Sequence, residues 1–126
     1  MKGRTIFEGQ AEGKALVTDI GISFYGGVDP NTGVILEKDH PLEGQSIADT
    51  ILVFPRGKGS TVGSYTMYRL KKNGTAPRAI LNAECDTVVA VGAIISEIPC
   101  VDQLPVAEIK TGQTVEVHGD QVTIRD

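Results

Sequence analysis

The richest chemistry in this chain lies in one short run, Arg56-Gly57-Lys58-Gly59-Ser60. It stands between the apolar segment Thr50-Ile51-Leu52-Val53-Phe54, closed by Pro55, and Thr61 to Lys72, whose pattern predicts a helix. A glycine loop that feeds a helix N-terminus presents unpaired backbone N–H groups and the positive end of the helix dipole. It therefore binds an anion, or steadies one as it forms. Arg56 and Lys58 add positive charge, while the G-x-x-x-x-G-K-[ST] spacing of a triphosphate-binding loop is absent. Ser60 is the expected N-cap, and its hydroxyl has two readings. It is a cap that accepts a backbone hydrogen bond, or a group whose ionised form those same N–H groups stabilise, so that it can take up a proton.

The other reactive residues are few. A serine hydrolase needs a histidine and a carboxylate in line with the nucleophile, and the histidines here are His40 and His118. His118 falls at the tip of a terminal hairpin. His40 lies in the loop Lys38 to Gly44, which could face the glycine loop, so it either binds and orients or makes a structural contact. Asp29, after Gly26-Gly27-Val28, is an Asx-turn former or a polar wall of the cleft. Glu84 and Asp86 flank Cys85 between a buried strand and a helix, as a cap pair or as the edge of a pocket. Cys85 and Cys100 stand fifteen apart with no C-x-x-C partner, which fits neither a disulfide framework nor a metal or cluster site within this chain. Both read as small buried hydrophobes.

The elements that must hold these groups are legible in outline. Arg4 to Glu8 and Lys14 to Thr18 predict two strands of a meander on either side of the turn-rich Gly9 to Gly13. Ile22 to Gly33, with its Gly pair and Asp-Pro-Asn-Thr-Gly turn, is a loop costly to keep without a purpose. Val34 to Glu37 reads as a short strand. Thr50 to Phe54 has the continuous apolar character of a central strand covered on both faces. The helix from Thr61 to Lys72 should turn Val62, Tyr65, Tyr68 and Leu70 inward and stop at Asn73-Gly74. Arg78 to Asn82 is a second buried strand, Thr87 to Ser96 a second helix, and Pro99 to Val101 a third short strand. Thr114 to His118 and Gln121 to Arg125 alternate around Gly119-Asp120 and form a closing hairpin.

With 126 residues, the chain has the length of one domain able to bury a core unaided. Fifteen glycines and an aromatic share of 5% mark a turn-rich chain with an aliphatic core. A net charge of −4 without like-charge blocks argues against a nucleic-acid partner. The opening residues lack the apolar stretch of a secretory signal, and no run is apolar enough for a membrane span, so the expected location is cytoplasmic.

Three motifs carry a further reading. Gly21-Ile22-Ser23-Phe24-Tyr25-Gly26-Gly27-Val28-Asp29-Pro30, then Asp39-His40-Pro41-Leu42-Glu43-Gly44-Gln45-Ser46-Ile47, then Arg56-Gly57-Lys58-Gly59-Ser60-Thr61-Val62-Gly63-Ser64 resemble, in order and spacing, the small subunit of the aconitase X family. The resemblance runs from about residue 3 to 120. It implies that residues 1–126 form one swivelling β/β/α domain of the α/β class, with a β-rich, barrel-like core and about two helices. It implies a dehydratase subunit active only with a large subunit, the latter carrying an iron–sulfur cluster of the 4Fe–4S kind, with no metal or cofactor bound by this chain. The member it looks most like dehydrates a small phosphorylated hydroxy acid, (R)-5-phosphomevalonate, to trans-anhydromevalonate 5-phosphate in archaeal isoprenoid synthesis. The family's catalytic serine, its proton acceptor, falls on Ser60, the residue the anion-nest argument also selects. Arg56, Gly57, Gly59, Thr61 and Ser64, with His40 and Asp29, are the candidate substrate contacts.

Three rivals remain open. One is a hydroxyproline-type dehydratase of the same family, which nothing in this chain separates from the phosphorylated-substrate branch. A second is a phosphotransfer swivel domain, which needs a histidine where residues 76 to 78 read Ala-Pro-Arg. The third is a non-catalytic assembly subunit, for which replacing Ser60 would leave activity intact. A two-subunit enzyme further predicts exposed apolar surface for its partner.

Overall fold

The computed structural model describes residues 1–125. Its strands are β1 (Arg4–Phe7), β2 (Gln10–Val17), β3 (Ile22–Ser23), β4 (Ile51–Phe54), β5 (Gly57–Lys58), β6 (Ala79–Asn82), β7 (Cys100–Asp102), β8 (Thr114–His118) and β9 (Gln121–Arg125). Helix α1 (Gly63–Asn73) and helix α2 (Thr87–Ser96) connect β5 to β6 and β6 to β7. Seven strands form one sheet in the order β1-β7-β6-β4-β2-β8-β9, and β3 and β5 pair separately. The middle strands β2, β4, β6 and β7 run parallel, with antiparallel neighbours at both ends. Lys2 bridges Gln121, and Gly3 donates to the Asp120 carbonyl, so the residues before β1 meet the opposite edge strand and the sheet curls into a barrel.

Alternation along β4 and β6 feeds two cores, one on each face of the sheet. Leu52, Phe54 and Ile80 face the helices, packing with Met67, Leu70, Val89 and Ala93. Ile51, Val53, Ala79 and Leu81 point into the barrel against Val101, Val115, Val117 and Val122. All four residues of β4 are fully buried, as expected of a central strand. The helices cross closely: a Cβ on Gly92 would lie 2.2 Å from the Met67 sulfur. No helix among the described residues is long and apolar enough to cross a membrane.

The second helix and the terminal hairpin fall where their patterns place them, but four expectations are corrected. The opening strands form no meander, because β1 pairs with β7 and β2 lies between β4 and β8. Gly9 to Gly13 is mostly strand: β2 begins at Gln10, and its ladder to β8 carries Gly13 opposite Val115 despite the glycine's weak β preference. Val34 to Glu37 makes only isolated bridges, Val28 to Ile35 and Val34 to Ser46. The excursion is instead anchored by buried Phe24, Val28, Ile35, Leu42 and Ile47. Finally, α1 begins at Gly63 and turns Gly63, Ser64, Thr66, Met67 and Leu70 inward, leaving Val62, Tyr65 and Tyr68 exposed. Small residues on the inner face permit the close crossing with α2, where aromatic rings would not fit.

Candidate functional site

The glycine loop leaves the C-terminal end of β4, the usual place for ligands in an α/β sheet. It is gripped from two sides. Strand β5 pairs in parallel with β3, matching Gly57 to Ile22 and Lys58 to Ser23. Gly59, at φ +88°, sits so close over Ser23 that a Cβ would lie 2.3 Å from that side chain's hydroxyl oxygen. Only glycine meets both demands at this position. From the other side, the Asp86 carboxylate accepts the Gly57 N–H at 3.0 Å.

Ser60 emerges from this grip exposed to solvent. It precedes α1 by three residues and is not the N-cap, which is Val62. Its Oγ accepts the Val62 N–H at 3.1 Å, and its carbonyl accepts the Gly63 N–H at 2.9 Å. The first helical donors are consumed in this tight turn, since Ser64 and Tyr65 donate to the Thr61 and Val62 carbonyls. The open donors lie just upstream. The N–H groups of Gly59, Ser60 and Thr61 make no hydrogen bond with any described residue. The anion-friendly feature thus sits in the glycine loop where the sequence pattern has the helix begin, while the helix itself starts two residues later, at Gly63. One N–H already points at Ser60 Oγ, and such a donor favours an ionised hydroxyl over a neutral one.

Two clefts are lined by the residues on either side of Ser60. Gly59 lines the first, of about 460 Å³, together with Ser23, Tyr25, Gly26, Gly27, Glu37 and Lys58. Across it the Lys58 ammonium is paired with Glu37 at 2.7 Å, so its charge is already balanced. Thr61 lines the second, of about 350 Å³, with Val62, Ser64, Tyr65, Thr87, Val88, Val91 and Ile95. No charged side chain lines this groove. Arg56 is exposed and unpaired among the described residues, which leaves its guanidinium available beside the loop.

The remaining candidates are engaged elsewhere. His40 is buried; its Nδ1 accepts the Leu42 N–H at 3.0 Å, which fixes the proton on Nε2, and Nε2 donates to the Gly21 carbonyl at 3.1 Å. With both ring nitrogens used, His40 ties its loop to the strand beside the glycine loop. Ser64 is buried and donates to the Val88 carbonyl at 2.8 Å, joining α1 to α2. Asp29 forms the Asx turn, accepting the Asn31 N–H at 2.8 Å. That turn is tied by Asn73 and Thr75 to the far end of α1, about 16 Å of helix away from Ser60. His118 is exposed on β8. These placements leave no histidine to build a triad around Ser60.

Missed by the sequence reading were the Lys58–Glu37 pair and exposed Tyr25, which line a cleft assembled from residues far apart in the chain. The costly Gly26-Gly27 loop was their visible signal. A hydrogen bond with the Cys85 thiol, reinforced by burial, pushes the Cys100 thiol above its ordinary value, so it stays protonated. No group of three or more His, Cys, Asp or Glu among the described residues could hold a metal. The chain's own residues therefore do not fit an iron–sulfur cluster.

Comparison with known proteins supplies the context for this geometry. Residues 1–125 match the family described as the aconitase X swivel domain. The chain is 55% identical over 121 residues to the phosphomevalonate dehydratase small subunit of Thermococcus sibiricus, covering 96% of this chain and 93% of that one. It is 57% identical over 124 residues to the protein of the same name from Methanosarcina acetivorans, covering 96% and 86%. The crystal structure of Thermococcus kodakaraensis aconitase X in its holo form superposes with a TM-score of 0.97 at 54% identity, over 99% of this chain and 97% of that one.

Proposed function

Because the chain belongs to the aconitase X swivel-domain family, we propose that it is the small subunit of a phosphomevalonate dehydratase, with residues 1–126 as one swivel domain and Ser60 as its proton acceptor. Relatives that cover nearly the whole chain carry the name of a dehydratase small subunit, and this chain is a dehydratase subunit that works with a large one. The observation that carries the serine assignment is local: Ser60 is exposed between residues that line two clefts, its Oγ already receives one N–H, and the N–H groups of Gly59, Ser60 and Thr61 have no partner among the described residues.

In this reading the substrate is (R)-5-phosphomevalonate. Ser60 Oγ takes a proton from the carbon next to the carboxylate. The electron pair left behind becomes the double bond to the neighbouring carbon, whose C–O bond breaks. The departing hydroxide takes up a proton from solvent and Ser60 gives its own proton back to solvent, so the net loss is one water. Proton transfer by a placed side chain contributes roughly 10² to 10⁴-fold in rate. Arg56 and the N–H groups of Gly59, Ser60 and Thr61 hold the anionic ends of the substrate, which enters through the polar cleft beside Lys58. The iron–sulfur cluster that the resemblance implies belongs to the large subunit, in keeping with the two cysteines here, one buried and protonated. The large subunit covers the apolar groove on the other side of Ser60, where Val91, Ile94 and Ile95 lie exposed on α2. Free thiols at both cysteines accord with a cytoplasmic enzyme.

The test is anaerobic co-expression with the large subunit and assay of water loss from (R)-5-phosphomevalonate, for wild type and Ser60→Ala. Loss of about two to four decades of rate with the complex intact is expected. Full activity in Ser60→Ala would reduce the chain to an assembly subunit, and a wild-type complex inert toward this substrate but active on hydroxyproline would replace the substrate.

A further inference from the structure

The Asp86 carboxylate occupies an unusual position. Asp86 is the N-cap of α2 by backbone geometry, at φ −86° and ψ 171°, yet it makes no side-chain hydrogen bond to its own helix. An aspartate there ordinarily satisfies a free N–H of the helix it begins. This one turns away and accepts the Gly57 N–H, across a separation of 29 residues in sequence. Gly57 fits that contact closely: a Cβ there would lie 2.6 Å from Val89 and 2.8 Å from the carboxylate oxygen.

The segment that bears Asp86 is itself fixed. The Cys85 N–H donates to the Asp102 carboxylate at 2.8 Å, and the Arg4 guanidinium grips the same carboxylate through two bonds of 3.0 and 2.8 Å. Asp102 is fully buried. The Ala83 and Glu84 N–H groups both donate to the Pro55 carbonyl, at 3.0 and 3.1 Å. The connection between β6 and α2 thus grasps the glycine loop at Pro55 and Gly57, the residues that precede Ser60. Downstream of Gly57 the loop is held on its other side, by the pairing of Lys58 with Ser23, the Lys58–Glu37 ion pair and the packing of Gly59 on Ser23.

We infer that Asp86 is a positioning residue for the reaction: through the Gly57 N–H it sets the register of the glycine loop and hence the place of Ser60 Oγ and its neighbouring N–H groups. The inference rests on Ser60 being the proton acceptor. Asp86 touches no substrate; it holds the backbone from which the base projects. Displacement of a reacting group by about 1 Å can cost on the order of 10²-fold in rate.

The experiment uses the complete two-subunit complex and (R)-5-phosphomevalonate. Asp86→Ala is expected to lower kcat by about 10 to 100-fold with a smaller rise in KM, because the base loses its alignment while the N–H groups that hold the substrate shift with the loop. Asp86→Asn, which retains a carbonyl oxygen for the Gly57 N–H, should recover most of that loss. In a Ser60→Ala background, Asp86→Ala should lower the residual kcat far less than it lowers that of wild type, because the base it positions is gone. Hydrogen–deuterium exchange of the complex should show faster exchange over residues 55–62 in Asp86→Ala and not in Asp86→Asn. Unchanged kcat in Asp86→Ala, or Asp86→Asn as damaging as Asp86→Ala, overturns the inference. Should Asp86→Ala fail to fold, Asp86→Glu decides: it keeps the charge but shifts the carboxylate by one methylene, and an undiminished kcat refutes the positioning role. A fully active Ser60→Ala complex would instead refute the serine assignment, which separates the two failures.

Discussion

The two connections that leave the parallel strands for the helices are built in opposite ways. The one after β6 is short, has Cys85 and Asp86 partly buried, and is fastened by Asp102, itself fully buried. The one after β4 is exposed from Lys58 to Val62, carries Gly59 in left-handed backbone, and leaves three N–H groups without partners among the described residues. The difference teaches that the serine loop is not rigid by its own bonding. It borrows definition from its neighbour, and the neighbour's polar groups are spent on that task.

Cutting the fastened connection should cost the fold most. Asp102→Ala orphans the Cys85 N–H and opens space beneath it, and about 2 to 3 kcal/mol of stability should disappear in urea unfolding. The Arg4 side adds little, because its guanidinium is half exposed and rehydrates. Next comes Gly57→Ala, which drives a methyl group against Val89 and Asp86. A loss of roughly 1 to 3 kcal/mol is expected, together with a lower turnover number in the assembled enzyme. On the exposed connection the balance reverses. Ser60→Ala removes one turn hydrogen bond and should leave the unfolding midpoint within about 1 kcal/mol of wild type, so that its damage is confined to catalysis. Ile95→Glu, on the apolar groove beside the loop, should change the stability of the fold by no more than about 0.5 kcal/mol while weakening capture by the large subunit tenfold or more in a titration. The mildest test is chemical: Cys100, buried and held protonated, should resist iodoacetamide in the native complex and react only after unfolding.

The same contrast explains what could be read from the sequence. Thr87 to Ser96 and the terminal hairpin were legible because their signals are local: an uninterrupted apolar helix, and alternation about Gly119-Asp120. The barrel was not, because β1 finds its partner in β7, nearly a hundred residues away, and no local pattern records that pairing. Ser60 was legible as a loop serine next to a helix, but its turn was not. The N–H groups expected to be open at the helix start are taken by Ser60 and its neighbours, and the free ones lie upstream. His40 and Asp29 stood out by their loop positions and motifs, each with a structural and a binding reading, and their hydrogen bonds tie both into the scaffold. Aromatic residues on α1 suggested an inward face, whereas the helix crossing selects for small side chains and turns Tyr65 and Tyr68 outward.

Helix α2 offers a further contrast within the same layer. It carries no charged residue between Thr87 and Ser96, while α1 ends in Lys71 and Lys72. A surface helix normally keeps a polar stripe toward water. Leaving Val91, Ile94 and Ile95 bare is consistent with a face that is covered in the working enzyme.

The closure of the barrel has a consequence for the order in which the protein can be made. Arg4 meets Asp102, Lys2 meets Gln121, and β2 is completed on one side by β8. The interior core draws on Val115, Val117 and Val122, so it cannot be sealed until the final hairpin has emerged from the ribosome. Contacts this distant in sequence slow folding, since the chain must close large loops before it gains from them. The apolar face of α2 is synthesised well before that point. During translation it stays accessible with nothing yet to cover it, and production of the large subunit alongside should raise the yield of folded protein.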